Sequence, residues 1–194
     1  MSGVGARLSR LVLAWLLVWP TAAAAMIPTL SSRDVQAALD AGEQGIAQED
    51  FGEEWHVTYP DGVEIVVLTP FARLAHAARR AALKSEPMTD KQRQEQIDRG
   101  KTSLQLTVTM FGPSADFPKW YRAALRVGDR EVKSTFDQNE ATPLRLPDGR
   151  FTARNVYTFP LEGLPPRGTV TLIVNHLIRK KEVLRVPLDL GKMR

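Results

Sequence analysis

From Lys101 onward the apolar residues fall on every second position, and that period constrains the fold more than any other feature of the chain. Leu104, Leu106, Val108 and Met110 alternate with Ser103, Gln105, Thr107 and Thr109. Successive side chains of a strand point to opposite faces, so the run has one face for a core and one for water. Segments 120–127 and 131–136 flank Gly128-Asp129, a short hairpin signal. Further strands are expected over 151–161, 169–175 and 183–190, with Pro143, Pro147, Asp148 and Gly149 marking a loop. Pro187 has no N–H to give to a ladder, which puts the last strand at an edge or gives it a local break. Six short strands separated by turn signals predict an antiparallel β-sandwich, immunoglobulin-like in its general architecture. The chain has no Cys. That removes the immunoglobulin disulfide, and with it any thiolate metal site or cysteine nucleophile.

Residues 31–100 have a different texture. Ser31 with Asp34 imitates a capping box before DVQAALDAG, with Gly42 as the expected stop. Trp55, Val57 and Tyr59 alternate, Pro60-Asp61-Gly62 supplies turn chemistry, and 63–68 is nearly all apolar, which reads as a β-hairpin. Thr69 followed by Pro70 starts the clearest helix, since Thr caps well and Pro costs no helical N–H at the first position. Phe71, Leu74, Ala75, Ala78 and Ala82 share one face of it, and Pro87 is its expected end. Thr89 with Gln92 opens a second polar helix that Gly100 should close, with Ile97 its lone large aliphatic residue. The fold class is therefore α+β. A helix–hairpin–helix region, residues 26–100, packs beside an immunoglobulin-like β-sandwich domain, residues 101–194.

Residues 1–25 read as an address. Arg7 and Arg10 precede the apolar run LVLAWLLVW, then Pro20 and an alanine tract ending at Ala25. A basic start, a short apolar stretch and an A-x-A site make a secretory signal peptide. The apolar run is about half of the ~20 residues that a spanning helix needs. Cleavage is expected between Ala25 and Met26, leaving no transmembrane helix, and it removes Arg7 and Arg10 from a formal charge of +4. The expected location is the periplasm or the cell exterior.

Catalytic signatures are missing. The chain holds no G-x-S-x-G, H-E-x-x-H, phosphate-cradling loop or dinucleotide fingerprint. No catalytic residue, cofactor or metal ligand is assigned. His56, His76 and His176 are the three histidines, and none is paired at helical spacing with another ligand-type residue. Asp61, Glu64, Asp148 and Glu162 are scattered over turns and strands. The most specific pattern is a basic stripe on the Pro70 helix. Arg73, His76, Arg80 and Lys84 fall within roughly 80° of one another, with Arg79 a little further round. These five residues are the candidate anion-binding set, although an amphipathic helix also needs a solvated face. Arg179-Lys180-Lys181 form a second basic cluster between two strands, the ordinary content of a loop tip. Phe117, Trp120 and Tyr121 cluster around Pro118 and are expected to fill the core. Nucleic acid is not an expected partner.

The stretch Val67-Leu68-Thr69-Pro70-Phe71-Ala72-Arg73-Leu74-Ala75 and the closing Leu188-Asp189-Leu190-Gly191-Lys192-Met193-Arg194 resemble segments of small exported bacterial proteins of uncharacterised function. The resemblance implies a bacterial envelope setting and carries no functional residue across. The expected function is that of a non-catalytic envelope protein that binds or assembles with an envelope partner. One alternative is docking to anionic surfaces, lipid headgroups or acidic polymer, through the helix over 70–86. Another is a hydrolase of envelope polymers, which requires a cleft where at least two of the histidines meet carboxylates.

Overall fold

The computed structural model describes residues 25–194, so the expected export segment lies, save for Ala25, outside the described residues. Three helices and two antiparallel sheets build the chain. The helices are α1 (Ser32–Gln44), α2 (Pro70–Leu83) and α3 (Asp90–Thr102). The strands are β1 (His56–Thr58), β2 (Glu64–Leu68), β3 (Ser103–Gly112), β4 (Tyr121–Val127), β5 (Arg130–Lys133), β6 (Phe136–Gln138), β7 (Leu144–Arg145), β8 (Phe151–Pro160), β9 (Thr169–His176) and β10 (Lys181–Asp189). One sheet runs β1-β2-β3-β8-β6, with β7 also on β8, and the other runs β10-β9-β4-β5. Among the described residues, no helix is long and apolar enough to cross a membrane.

Local chemistry accounts for the starts of the helices. Ser31 and Thr89 each close a full capping box, with Asp34 and Gln92 respectively. The Thr69 hydroxyl accepts from the Ala72 N–H at 3.1 Å, and Pro70 occupies the first turn. The ends differ from expectation. Gly42 and Gly100 do not stop their helices but lie inside them, buried. A Cβ on Gly42 would collide with the Ala75 carbonyl oxygen and come within 2.6 Å of Ala78 Cβ. One on Gly100 would meet the Pro70 Cα at 3.2 Å. Both glycines are helix-packing contacts of α2 rather than stops. The helix α2 ends at Leu83, ahead of Pro87, where Ser85 takes a left-handed φ of 57°.

Two strand assignments also change. Trp55 belongs to a 3-10 turn, Glu53–Trp55, before β1. The segment over 131–136 is not one strand. β5 pairs with β4 from Val127↔Arg130 onward, and after Ser134 the chain crosses so that β6 pairs with β8 in the other sheet. Asp137 holds this crossing. Its carboxylate accepts from the Ser134 hydroxyl at 2.6 Å and the Ala123 N–H at 3.3 Å, and it pairs with Arg122 at 3.1 Å. Its side chain is 6% exposed, so removal would leave Arg122 without its partner and the Ala123 N–H without this acceptor, while the Ser134 hydroxyl retains the Ala123 carbonyl at 2.9 Å.

Other expectations match. Leu104, Leu106, Val108 and Met110 are all buried. β10, carrying Pro187, is the outer strand of its sheet, and the Pro187 carbonyl accepts from the Tyr59 hydroxyl. The hairpin β1–β2 joins the six-stranded sheet, β2 lying on β3 from Glu64↔Thr109 to Leu68↔Gln105. Residue 100 is therefore no break in that sheet. One apolar cluster takes Phe71 and Leu74 from α2, Ile65 and Val67 from β2, and Leu125, Leu172 and Leu188 from the four-stranded sheet.

Candidate functional site

The helix α2 is covered on more than one side, which divides the basic stripe. Besides Phe71, Leu74, Ala75 and Ala78, it buries Ala72 and Ala77. Arg73, His76 and Arg79 are each only part-exposed, whereas Arg80 and Lys84 are open to solvent. The segment carrying Phe51 and Trp55 packs against the helix there. The His76 ring stands edge-on to Phe51, with centroids 5.1 Å apart, and tilted to Trp55 at 5.4 Å. The Arg79 guanidinium lies over the Phe51 ring, 4.6 Å from its centroid. Burial, with Arg80 and Arg79 nearby, pushes the His76 pKa down to about 4, so the ring is neutral at pH 7. Its Nε2 is buried without a partner.

Arg73 turns another way. Its guanidinium lies 3.4 Å from the Gln105 side-chain oxygen on β3. Burial lowers its pKa, and the positive charges of Arg99 and Arg80 lower it further. Arg80 and Lys84 face an open cavity of about 350 Å³ shared with Glu86, Met88 and Gln92. The five candidate residues therefore do not share one fully exposed face. Three are divided between an aromatic contact and the sheet, and two remain at a groove.

The histidines are also apart in role. His56 lies 3.9 Å from Glu64 on the exposed hairpin. His176 is buried at the end of β9, where its Nδ1 accepts from the Arg179 N–H at 3.3 Å and its ring stands edge-on to Tyr121 at 5.8 Å. Among the described residues, no three His, Asp or Glu are grouped so as to hold a metal ion. Of the scattered carboxylates, Asp148 is engaged with Arg150 at 2.7 Å and Glu64 faces His56.

Two features lay beyond the sequence. The Arg194 main-chain oxygen accepts from the Trp55 indole N–H at 2.9 Å and the Thr69 hydroxyl at 2.6 Å, and its guanidinium lies 3.9 Å over the Phe71 ring. These partners are more than a hundred positions away, and no local pattern links them.

The second feature is a loop tip. Phe117 and Tyr121 are core residues as expected, but Trp120 is 44% exposed. It sits just beyond the last register pair, Tyr121↔His176, and its carbonyl accepts from the Leu177 N–H at 2.9 Å. Leu177 and Ile178 beside it are 49% and 63% exposed. Lys119 is 5.4 Å from the centroid of the Trp120 ring, and Arg179, Lys180 and Lys181 are all exposed. Lys180 takes a left-handed φ of 47°, which turns the chain back into β10.

No family model matches the sequence, and no curated protein matches it. Two solved structures are similar to it at low identity. One is a protein of unknown function from Burkholderia pseudomallei, 12% identical over 84% of this chain and 95% of that one, with a TM-score of 0.43. The other is the C1 domain of an IgNAR antibody, 13% identical over 69% of this chain and 98% of that one, with a TM-score of 0.32.

Proposed function

We propose that the chain is an exported, non-catalytic binding module of the bacterial envelope, its two sheets forming an immunoglobulin-like sandwich that carries recognition loops. The observation behind this reading is the use made of its chemistry-bearing side chains. His76, His176 and Asp137 are committed to internal contacts, while large apolar residues, and cations that make no ion pair within 4.0 Å among the described residues, are displayed on loops. Exposed apolar groups next to one sign of charge suit contact with a partner better than turnover of a substrate. The export motif of residues 1–25 supports the compartment.

Fractionation of cells producing the full chain, with intact-mass measurement, tests the reading. A product beginning at Met26, held with the envelope, is the expected result. A product retaining residues 1–25 in the soluble cytoplasm overturns it. A second reading has α2 dock on anionic surfaces. It draws on Arg73, Arg80 and Arg99, mutually repelling and without an acidic side chain within 4.0 Å among the described residues.

A further inference from the structure

We infer that the tip formed by Lys119-Trp120 and by 177–181 inserts into the headgroup region of an anionic lipid bilayer. The inference rests on the envelope-module reading and replaces α2 with a different contact surface.

Trp120, Leu177 and Ile178 lie at the turn end of β4 and β9, joined by the hydrogen bond from Leu177 to Trp120. Their exposure is a cost in water. An indole has an apolar body and a polar N–H, the combination that settles at a membrane–water boundary. Beneath them the rings of Phe117, Tyr121 and His176 stand edge to face, 6.0 and 5.8 Å apart, and fix the base of the tip. Lys119, Arg179, Lys180 and Lys181 surround the apolar trio, and none makes an ion pair within 4.0 Å among the described residues. Two acids are close. Asp116 has a carboxylate that accepts from the Ser114 hydroxyl at 2.7 Å and feels Arg179 and Lys119, and Glu182, next to Lys181, is engaged by Arg185 at 2.8 Å. Four cations against Asp116, with Glu182 already neutralised by Arg185, leave the rim positive. Positive charge around an exposed apolar centre complements an anionic bilayer in both respects. Each cation near such a surface strengthens partition by about fivefold at physiological salt.

The test uses the protein purified from the envelope of producing cells and vesicles of phosphatidylglycerol with phosphatidylethanolamine. Cosedimentation is expected with these vesicles and not with phosphatidylcholine, weakening as salt rises. Tryptophan emission should shift to the blue on binding and be quenched by brominated acyl chains, and Trp120→Phe should remove most of both changes. Trp55 is 2% exposed and gives a constant background. The double variant Lys180→Glu/Lys181→Glu should lower partition at least tenfold, as should Trp120→Ser/Ile178→Ser; circular dichroism confirms that each is folded. Binding lost in Arg80→Glu/Lys84→Glu but kept in both tip variants overturns the inference and favours α2. No cosedimentation with anionic vesicles at low salt also overturns it, and tight binding to a purified envelope protein through the same tip would assign the surface to that partner instead. The fractionation result stands independently of either outcome.

Discussion

At the scale of single residues, position in the fold outweighs side-chain type. His76 looks in the sequence like one member of a cationic row, because helical stepping fixes direction but not what crosses above the helix. Of the residues that enclose it, Phe51 belongs to an irregular segment, and Trp55, which alternates with Val57 and Tyr59 in the sequence, sits in a 3-10 turn before β1, so neither was legible as a cover for α2. The enclosure has a measurable consequence. The folded pKa of His76 is about 4, against an ordinary value of 6.5. A depressed value means that the unfolded chain takes up a proton between these limits while the folded chain does not. The stability tied to neutral His76 is thus fully present above pH 6.5 and is lost as pH falls toward 4. The partly exposed ring limits the loss to about 2 kcal/mol. The other basic groups near the ring are Arg79 and Arg80. Glu54, raised chiefly by burial, contributes in the opposite sense, and Asp34, held low by Ser31, titrates below the window. Comparison of urea midpoints at pH 7 and pH 4.5 for the wild type and His76→Phe isolates the effect. The wild type should lose more stability than the variant, and equal losses would mean that the ring is not enclosed.

At the scale of elements, the helix starts and most strand positions were legible, and the helix ends were not. Start signals are local: Ser31 with Asp34, Thr69 with Pro70 and Thr89 with Gln92 each act within one turn. Gly42 and Gly100 carry the same local signal as a stop, but their role is set by a neighbouring helix. Their surroundings differ enough to predict different costs. Replacing an interior helical Gly by Ala gains about 1 kcal/mol of helix propensity. At Gly42 the new methyl meets backbone, the Ala75 carbonyl and the Arg79 nitrogen at 2.9 Å, which cannot move without displacing α2. Overpacking of this kind costs about 1–3 kcal/mol, and contact with fixed backbone belongs at the upper end of that range, so a net destabilisation of between about 1 and 2 kcal/mol is expected. At Gly100 the contacts are with Pro70 at 3.2 Å, a few tenths of an ångström too close. There the two terms nearly cancel, and the net change should stay within about 1 kcal/mol. Thermal or urea unfolding of the two single variants tests the ranking. A Gly42→Ala protein as stable as wild type would show that α1 and α2 do not approach as described. The broken strand at Ser134 was hidden for a related reason. Alternation continues through Val132, Ser134 and Phe136, yet the buried Asp137 carboxylate moves the chain to the other sheet.

At the scale of the whole molecule, the change of texture at residue 101 suggested two units, but hydrogen bonding and burial cross it. β2 comes from the first half and lies along β3 from the second, matched over five register pairs. Ile65, Val67, Phe71 and Leu74 share their apolar cluster with Leu104, Leu106 and Val108. The closing residue returns as well, since Arg194 is held by Trp55 and Thr69. Sequence periodicity reports which face of a strand is buried but not which strand lies beside it, so this integration was invisible in the chain alone. Its consequence is that residues 101–194 should not fold alone. Without residues 26–100, β3 becomes an edge of alternating Leu, Leu and Val with unpaired N–H and carbonyl groups, the kind of edge that recruits other chains. The buried faces of Leu104 and Leu106 lose their cover at the same time. A fragment of 101–194 is therefore expected to aggregate or to lack a sharp thermal transition. The chain from Met26 to Arg194, carrying Trp120→Phe so that Trp55 is its one indole, should unfold in one step, with circular dichroism and Trp55 fluorescence reporting the same midpoint. Trp55 lies in the first half and most of the strand signal in the second, so the coincidence of the two probes is itself diagnostic. A monomeric 101–194 fragment with its own cooperative transition, or two separated midpoints in the longer chain, would mean that the shared sheet is an adhesion between independent domains rather than a single cooperative unit.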